Sequence, residues 1–140
     1  MNVICLVAGL LVAPLGEAIT LQWTHSVQKT LWAEDYQLAG DRLLLTSARV
    51  TATGAGMEPP PDAVYHDGAW HYRPALPPLP SVQMRHSPYV TPYTVCHAGD
   101  CRTPAQWLPG LPAEAILELR PCDKNDATAP STAKVATMRP

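Results

Sequence analysis

Six positions in the first sixty residues carry chemistry that a plain β-domain has no need for: His25, Glu34, Arg49, Gly54, Gly56 and Glu58. An imidazole titrates near neutral pH, so His25 is a candidate proton carrier or ligand-orienting donor. Glu34 and Glu58 offer carboxylates, and Arg49 a guanidinium. Gly54-Ala55-Gly56 is a turn whose successive N–H groups can form an anion-binding nest. Together these residues make candidates for a ligand-binding recess.

Each has a plainer role beside it. His25 also fits the edge of a core, bonded to Glu34 or Asp35. Glu34 and Asp35 are adjacent on a strand, so they point to opposite faces. Whichever turns inward needs a partner, because an unpaired buried charge is very costly, and Arg49 or His25 would supply it. The Gly-Ala-Gly kink also answers a purely steric need for angles that only glycine accepts. Trp70 and Tyr72, on either side of His71, suit packing against a sheet as well as stacking on a ligand.

Several chemistries are disfavoured. Ser26 alternates to the face opposite His25, so the two do not form a nucleophile and base side by side. Gly54-Ala55-Gly56 lacks the Lys-Ser/Thr and subsequent helix of a phosphate loop. His66, His71, His86 and His97 lie on separate predicted hairpins with no metal-ligand spacing. No metal or cofactor is therefore assigned. Formal net charge is −2 with charged residues at 16%, which leaves no electrostatic footprint for nucleic acid or an anionic membrane.

The elements that must position these residues are short strands. The chain has 140 residues, 16 of them proline, and no phenylalanine, so four tryptophans and five tyrosines supply the aromatic volume. Ile19, Leu21, Trp23, His25 and Val27 alternate with polar residues as a half-buried strand. Leu31–Leu38 and Arg42–Ala52 are joined by Ala39-Gly40-Asp41, a link short enough to require antiparallel pairing. Val64–His66 and Ala69–Tyr72 flank Asp67-Gly68, a strong hairpin signal. Val82–His86, Tyr93–Cys96, Cys101–Thr103 and Ile116–Arg120 read as further strands, and Ala105–Leu108 as one helical turn. The proline-rich stretches at 59–61 and 74–80 cover sheet edges or dock a partner. The predicted fold is all-β: a single small antiparallel sandwich or partly open barrel of about 7–8 short strands.

Residues 1–18 read as an export leader cleaved after Ala18. VICLVAGLLVA has the length of a signal core, though no basic residue precedes it. It is too short for a membrane-spanning helix, which needs about 20 apolar residues. Cys5 would leave with the leader. Cys96 and Cys101, with four residues between them including Gly99, can face each other across a hairpin as a disulfide. Cys122 is then left free, paired otherwise, or used between chains. The predicted organisation is a leader at 1–18, a β-domain at 19–122 and a disordered polar tail at 123–140.

TLQWTHSVQKTLWAEDY, LTSARVTATGAGMEPPPDAV, DGAWHYRPALPPL and YTVCHAGDCR, in that order, resemble the bacterial family of domain of unknown function 1850, over roughly residues 19–122. Its marks here are His25-Ser26-Val27, Glu34, and Gly54-Ala55-Gly56 followed by prolines and an Asp-Gly turn. The resemblance implies a glutamate in many relatives where this chain has Gln28, so a carboxylate role is absent there. The resemblance implies a small exported protein of no assigned activity, associated through gene surroundings with tripartite transporters of the TAXI type. The leading expectation is a non-catalytic periplasmic or secreted protein that touches a transporter component or a small anionic solute. Two others stand beside it: a small hydrolase or metal-dependent enzyme using His25 with Glu34 or Glu58, and a structural envelope protein without ligand.

Overall fold

A computed structural model of the chain describes residues 2–24, 30–51 and 61–125. The hairpins read from the sequence are present. Trp23 stands near the end of β3 (Ala18–Thr24), which pairs antiparallel with β4 (Leu31–Ala39). β4 returns through Gly40-Asp41 into β5 (Arg42–Thr51). β6 (Val64–His66) and β7 (Ala69–Tyr72) form the Asp-Gly hairpin, with Asp67 and Gly68 both at positive φ, 52° and 77°, as a type I′ turn requires. β9 (Thr94–His97) and β10 (Asp100–Arg102) turn the same way at Ala98-Gly99.

These strands form a seven-stranded sheet in the order β10-β9-β3-β4-β5-β7-β6. A second, four-stranded sheet packs against it. Its order is β2-β1-β11-β8, where β1 is Asn2–Ala8, β2 Leu11–Gly16, β8 Val82–His86 and β11 Ala115–Asp123. Every pairing is antiparallel and neither sheet closes into a barrel, so the sandwich is the alternative realised, with eleven strands among the described residues against the seven or eight expected.

The additional strands come mostly from the segment expected as a leader. Residues 2–16 form β1 and β2, and Ile4, Cys5 and Leu6 are fully buried. The physical reason is the composition of NVICLVA: a continuous apolar run suits a central strand covered on both faces as well as it suits a signal core. Cys5, expected to depart, is bonded to Cys122, and Cys96 is bonded to Cys101 as expected. β11 runs to Asp123, where the tail was expected to begin; residues 126–140 lie outside the described ones.

Between the sheets lie Ile4 and Leu6 of β1, Leu117 and Leu119 of β11 and Met84 of β8. Facing them are Ile19, Leu21, Tyr36, Leu43, Leu45 and Val95 of the seven-stranded sheet. A short helix, α1 (Pro104–Trp107), covers one end; Thr103 and Gln106 close a capping box around it. The Trp107 indole donates to the Val95 carbonyl at 2.9 Å, and Arg102 lies 4.7 Å above its ring.

One irregularity decides which side chains of β5 reach the outer face. The β4–β5 register slips after Asp35: Asp35 pairs with Ser47, but Tyr36 pairs with Leu45, leaving Thr46 as an extra residue in β5. Such a bulge reverses the inward parity of its strand. Inward residues before it are Leu43 and Leu45; after it they are Ala48 and Val50. Ser47, Arg49 and Thr51 consequently face out.

Candidate functional site

On the outer face of the seven-stranded sheet the bulge sets Ser47 beside Asp35, which lies opposite Thr20 across the β3–β4 pair. The Asp35 carboxylate accepts hydrogen bonds from Thr20 Oγ1 and Ser47 Oγ, both at 2.6 Å. Arg49 adds its fork: Nη1 donates to Oδ2 at 2.5 Å and Nη2 to Oδ1 at 3.4 Å. Thr46, the bulged residue, donates to the Asp35 main-chain carbonyl at 3.1 Å. Burial by itself would raise the Asp35 carboxyl. Donation from Arg49, Ser47 and Thr20, with the guanidinium's charge, outweighs it and holds the carboxyl below its ordinary value. With two oxygens taking four donors, Asp35 has little left for a ligand; it is an anchor.

Among the described residues Arg49 is not used up. A guanidinium carries five N–H donors, two of which go to Asp35. The other three have no acceptor among the described residues, and the side chain is 28% exposed. Arg49 lines a depression of about 230 Å3 with Gln22, Ala33, Thr51, Asp67 and His71. Register explains the shape: Gln22, Ala33, Arg49 and His71 stand in one row across four adjacent strands. Ala33 and Ala69, both buried, make a low floor between taller neighbours. His71 Nε2 donates to the His66 carbonyl at 2.9 Å, so in the neutral ring Nδ1 is an acceptor. Asp67 pairs with His66 at 3.3 Å. A second depression of about 290 Å3 lies beyond Asp35, lined by Thr20, Gln37, Thr46, Cys96, Ala98 and Gly99 among others.

Of the sequence-derived candidates, the two described ones separate across the sheet. Glu34 is on the inner face and Arg49 on the outer, so they do not share a site; the carboxylate that Arg49 meets is Asp35. Glu34 accepts from the Tyr36 hydroxyl at 2.8 Å. Burial, then that bond and the Glu34 charge, push the Tyr36 phenol far above its usual range, and burial with the same charge raises Tyr72. His25, Gly54, Gly56 and Glu58 lie outside the described residues. Among the described residues no group of three or more His, Cys, Asp or Glu is placed to hold a metal ion. Gln22, Thr51 and His71 were absent from the sequence-derived site; cross-strand register through Arg49 is the signal that finds them.

No helix among the described residues is long and apolar enough to cross a membrane, and two disulfides fit a protein that matures in an oxidising compartment. Neither a curated protein nor a solved structure matches the chain. The sequence profile of one family, described as domain of unknown function (DUF1850), matches residues 19–103, short of the 19–122 expected from the resemblance. That span holds β3 to β10, both outer-face depressions and the Asp35–Arg49 pair. The chain belongs to the DUF1850 family.

Proposed function

We propose that the protein is a non-catalytic, exported binding domain that takes a small carboxylate-bearing solute at Arg49. The observation carrying this reading is a guanidinium fixed by Asp35 at the edge of a depression, with three N–H groups that meet no acceptor among the described residues. Arginine held this way is pre-organised for a planar anion, because little rotamer freedom remains to be lost on binding. Gln22, Thr51 and His71 supply further hydrogen-bonding groups around the same floor. The two disulfides support an extracytoplasmic setting, and the family resemblance supports periplasmic service beside a TAXI-type tripartite transporter. On the outer face the Ser47 and Thr20 hydroxyls do meet a carboxylate, but Asp35 already takes four donors and is held below its ordinary value, a poor base, which favours binding over catalysis.

The test is a thermal-shift screen of the oxidised protein against acetate, succinate, citrate and glutamate. Ligand that binds only the native state raises Tm as its concentration exceeds Kd. A concentration-dependent rise for at least one of these acids, abolished in Arg49→Gln, is expected. An equal rise in the variant, or none with any acid, refutes the reading. Co-purification of a transporter subunit from the periplasm tests the partner separately.

A further inference from the structure

The two disulfides stand in opposite surroundings. Cys5 is fully buried in a cluster with Val3 and Val7, and its bond to Cys122 joins residues 117 apart. Cys96 and Cys101 face each other directly across the β9–β10 ladder, and every residue of β10 is exposed, Cys101 included. Among the described strands β10 is an edge of the seven-stranded sheet, so the direction from Cys96 to Cys101 leads off that edge. The hairpin is also held without the bond. Asp100↔His97 and Arg102↔Val95 pair on either side of it. Arg102 pairs with Asp100 at 2.8 Å and lies over the Trp107 ring, whose indole donates to the Val95 carbonyl. A crosslink between residues 5 apart restricts the unfolded chain far less than one between residues 117 apart.

Space adjoins the bond as well. Cys96 lines the depression of about 290 Å3 with Thr20, Gln37, Ala98 and Gly99, which leaves its side chain room to turn once released. An exposed disulfide on which the fold does not depend is the kind that exchanges with thiols. We propose that Cys96–Cys101 is a thiol–disulfide exchange site, opened and closed by an external dithiol/disulfide couple while the sandwich stays folded. A thiolate of the dithiol attacks Cys101 Sγ from the sheet edge. A bond forms between those two sulfurs and the Cys96–Cys101 bond breaks. Cys96 leaves with the electron pair and takes a proton. The second thiolate of the dithiol then attacks its partner sulfur in the mixed disulfide, and Cys101 leaves as a thiolate and is protonated. Two electrons and two protons thus pass to the protein, and the dithiol departs as its own disulfide. The reverse sequence restores the bond. This site does not rest on the Arg49 reading.

The test is a time course of the oxidised full chain in dithiothreitol, quenched with acid, its free thiols alkylated and mapped by mass spectrometry. Cys96 and Cys101 are expected to open at least tenfold faster than Cys5 and Cys122. Near-ultraviolet circular dichroism should be retained, and oxidised dithiothreitol should restore the bond. Equal rates for the two bonds, or loss of the dichroism signal as Cys96–Cys101 opens, overturn the proposal. Glutathione, quenched early, traps the mixed disulfide and shows which sulfur is attacked. An adduct on Cys101 is expected, and one mainly on Cys96 overturns attack from the edge. Reduced thioredoxin at the same thiol concentration separates the sources: opening at least tenfold faster assigns a dithiol protein, and an equal or slower rate assigns a small thiol.

Discussion

Removing the Cys5–Cys122 bond should cost far more stability than removing Cys96–Cys101, although the latter is the disulfide the sequence makes plain. The first joins residues 117 apart, the second residues 5 apart. If a crosslink acts by restricting the unfolded chain, its contribution grows with the logarithm of the loop it closes, giving about 5 kcal/mol for the long loop and about 2 kcal/mol for the short one. For a chain of this size those figures correspond to losses in Tm of roughly 15 °C and roughly 6 °C. Alanine at both positions of a pair is the right perturbation, because Cys5 is fully buried and a serine hydroxyl there would add a cost of its own. Differential scanning calorimetry of the two double variants gives the comparison. Intact mass after thiol alkylation, without reductant, counts the bonds. An equal or smaller loss for the Cys5/Cys122 pair refutes the loop-entropy argument. A chain beginning at residue 19 with one disulfide would refute the placing of β1 in the folded protein.

Two other perturbations test the outer face and its hairpins. Asp35→Asn keeps the shape but loses the charge that anchors Arg49; hydrogen bonds to charged groups suggest a cost of about 2 kcal/mol at pH 7. Since the folded carboxyl lies below its ordinary value, that stability is complete above the unfolded value of about 3.9 and is lost as pH falls through the folded one. The Tm difference between wild type and variant should therefore shrink in acid, and a pH-independent difference contradicts the assignment. Ala98 sits at φ 52° in the β9–β10 turn, where a side chain is strained. Ala98→Gly is expected to stabilise by about 0.5–1 kcal/mol, read as a rise in the denaturant midpoint.

Local signals carried the seven-stranded sheet. Asp67-Gly68, Ala39-Gly40-Asp41 and the alternation from Ile19 to Trp23 are short-range features, and the structure has a hairpin or strand at each. The four-stranded sheet was hidden because an apolar run such as NVICLVA has no periodicity to separate a central strand from a leader. Once those residues were read as a leader, Cys122 lost its partner. Of the candidate site only Glu34 and Arg49 fall among the described residues, and one residue parts them. Uninterrupted alternation from Leu43 puts Arg49 inward, beside Glu34, whereas the extra Thr46 turns it outward to Asp35. Neither Thr46 nor its neighbours carry a glycine or proline to announce a bulge. Only the match of Asp35 to Ser47 across the strands reveals it.

The pairing of β1 with β11, distant in sequence, has a consequence for biosynthesis. β1 leaves the ribosome before the other described strands, but β11, its neighbour from Asn2↔Asp123 to Val7↔Glu118, leaves after all of them. Until then the larger sheet can assemble from local hairpins while Ile19, Leu21, Tyr36 and Leu45 lack the layer that shields them. Pairings between distant segments also form slowly, since loop closure must precede the contacts that reward it. The nascent protein therefore passes through a half-built state with a bare apolar face, a hazard for aggregation and a natural substrate for a holding chaperone. Completion waits on β11, so loss of residues 115–123 should strand the chain in that state however well its hairpins form.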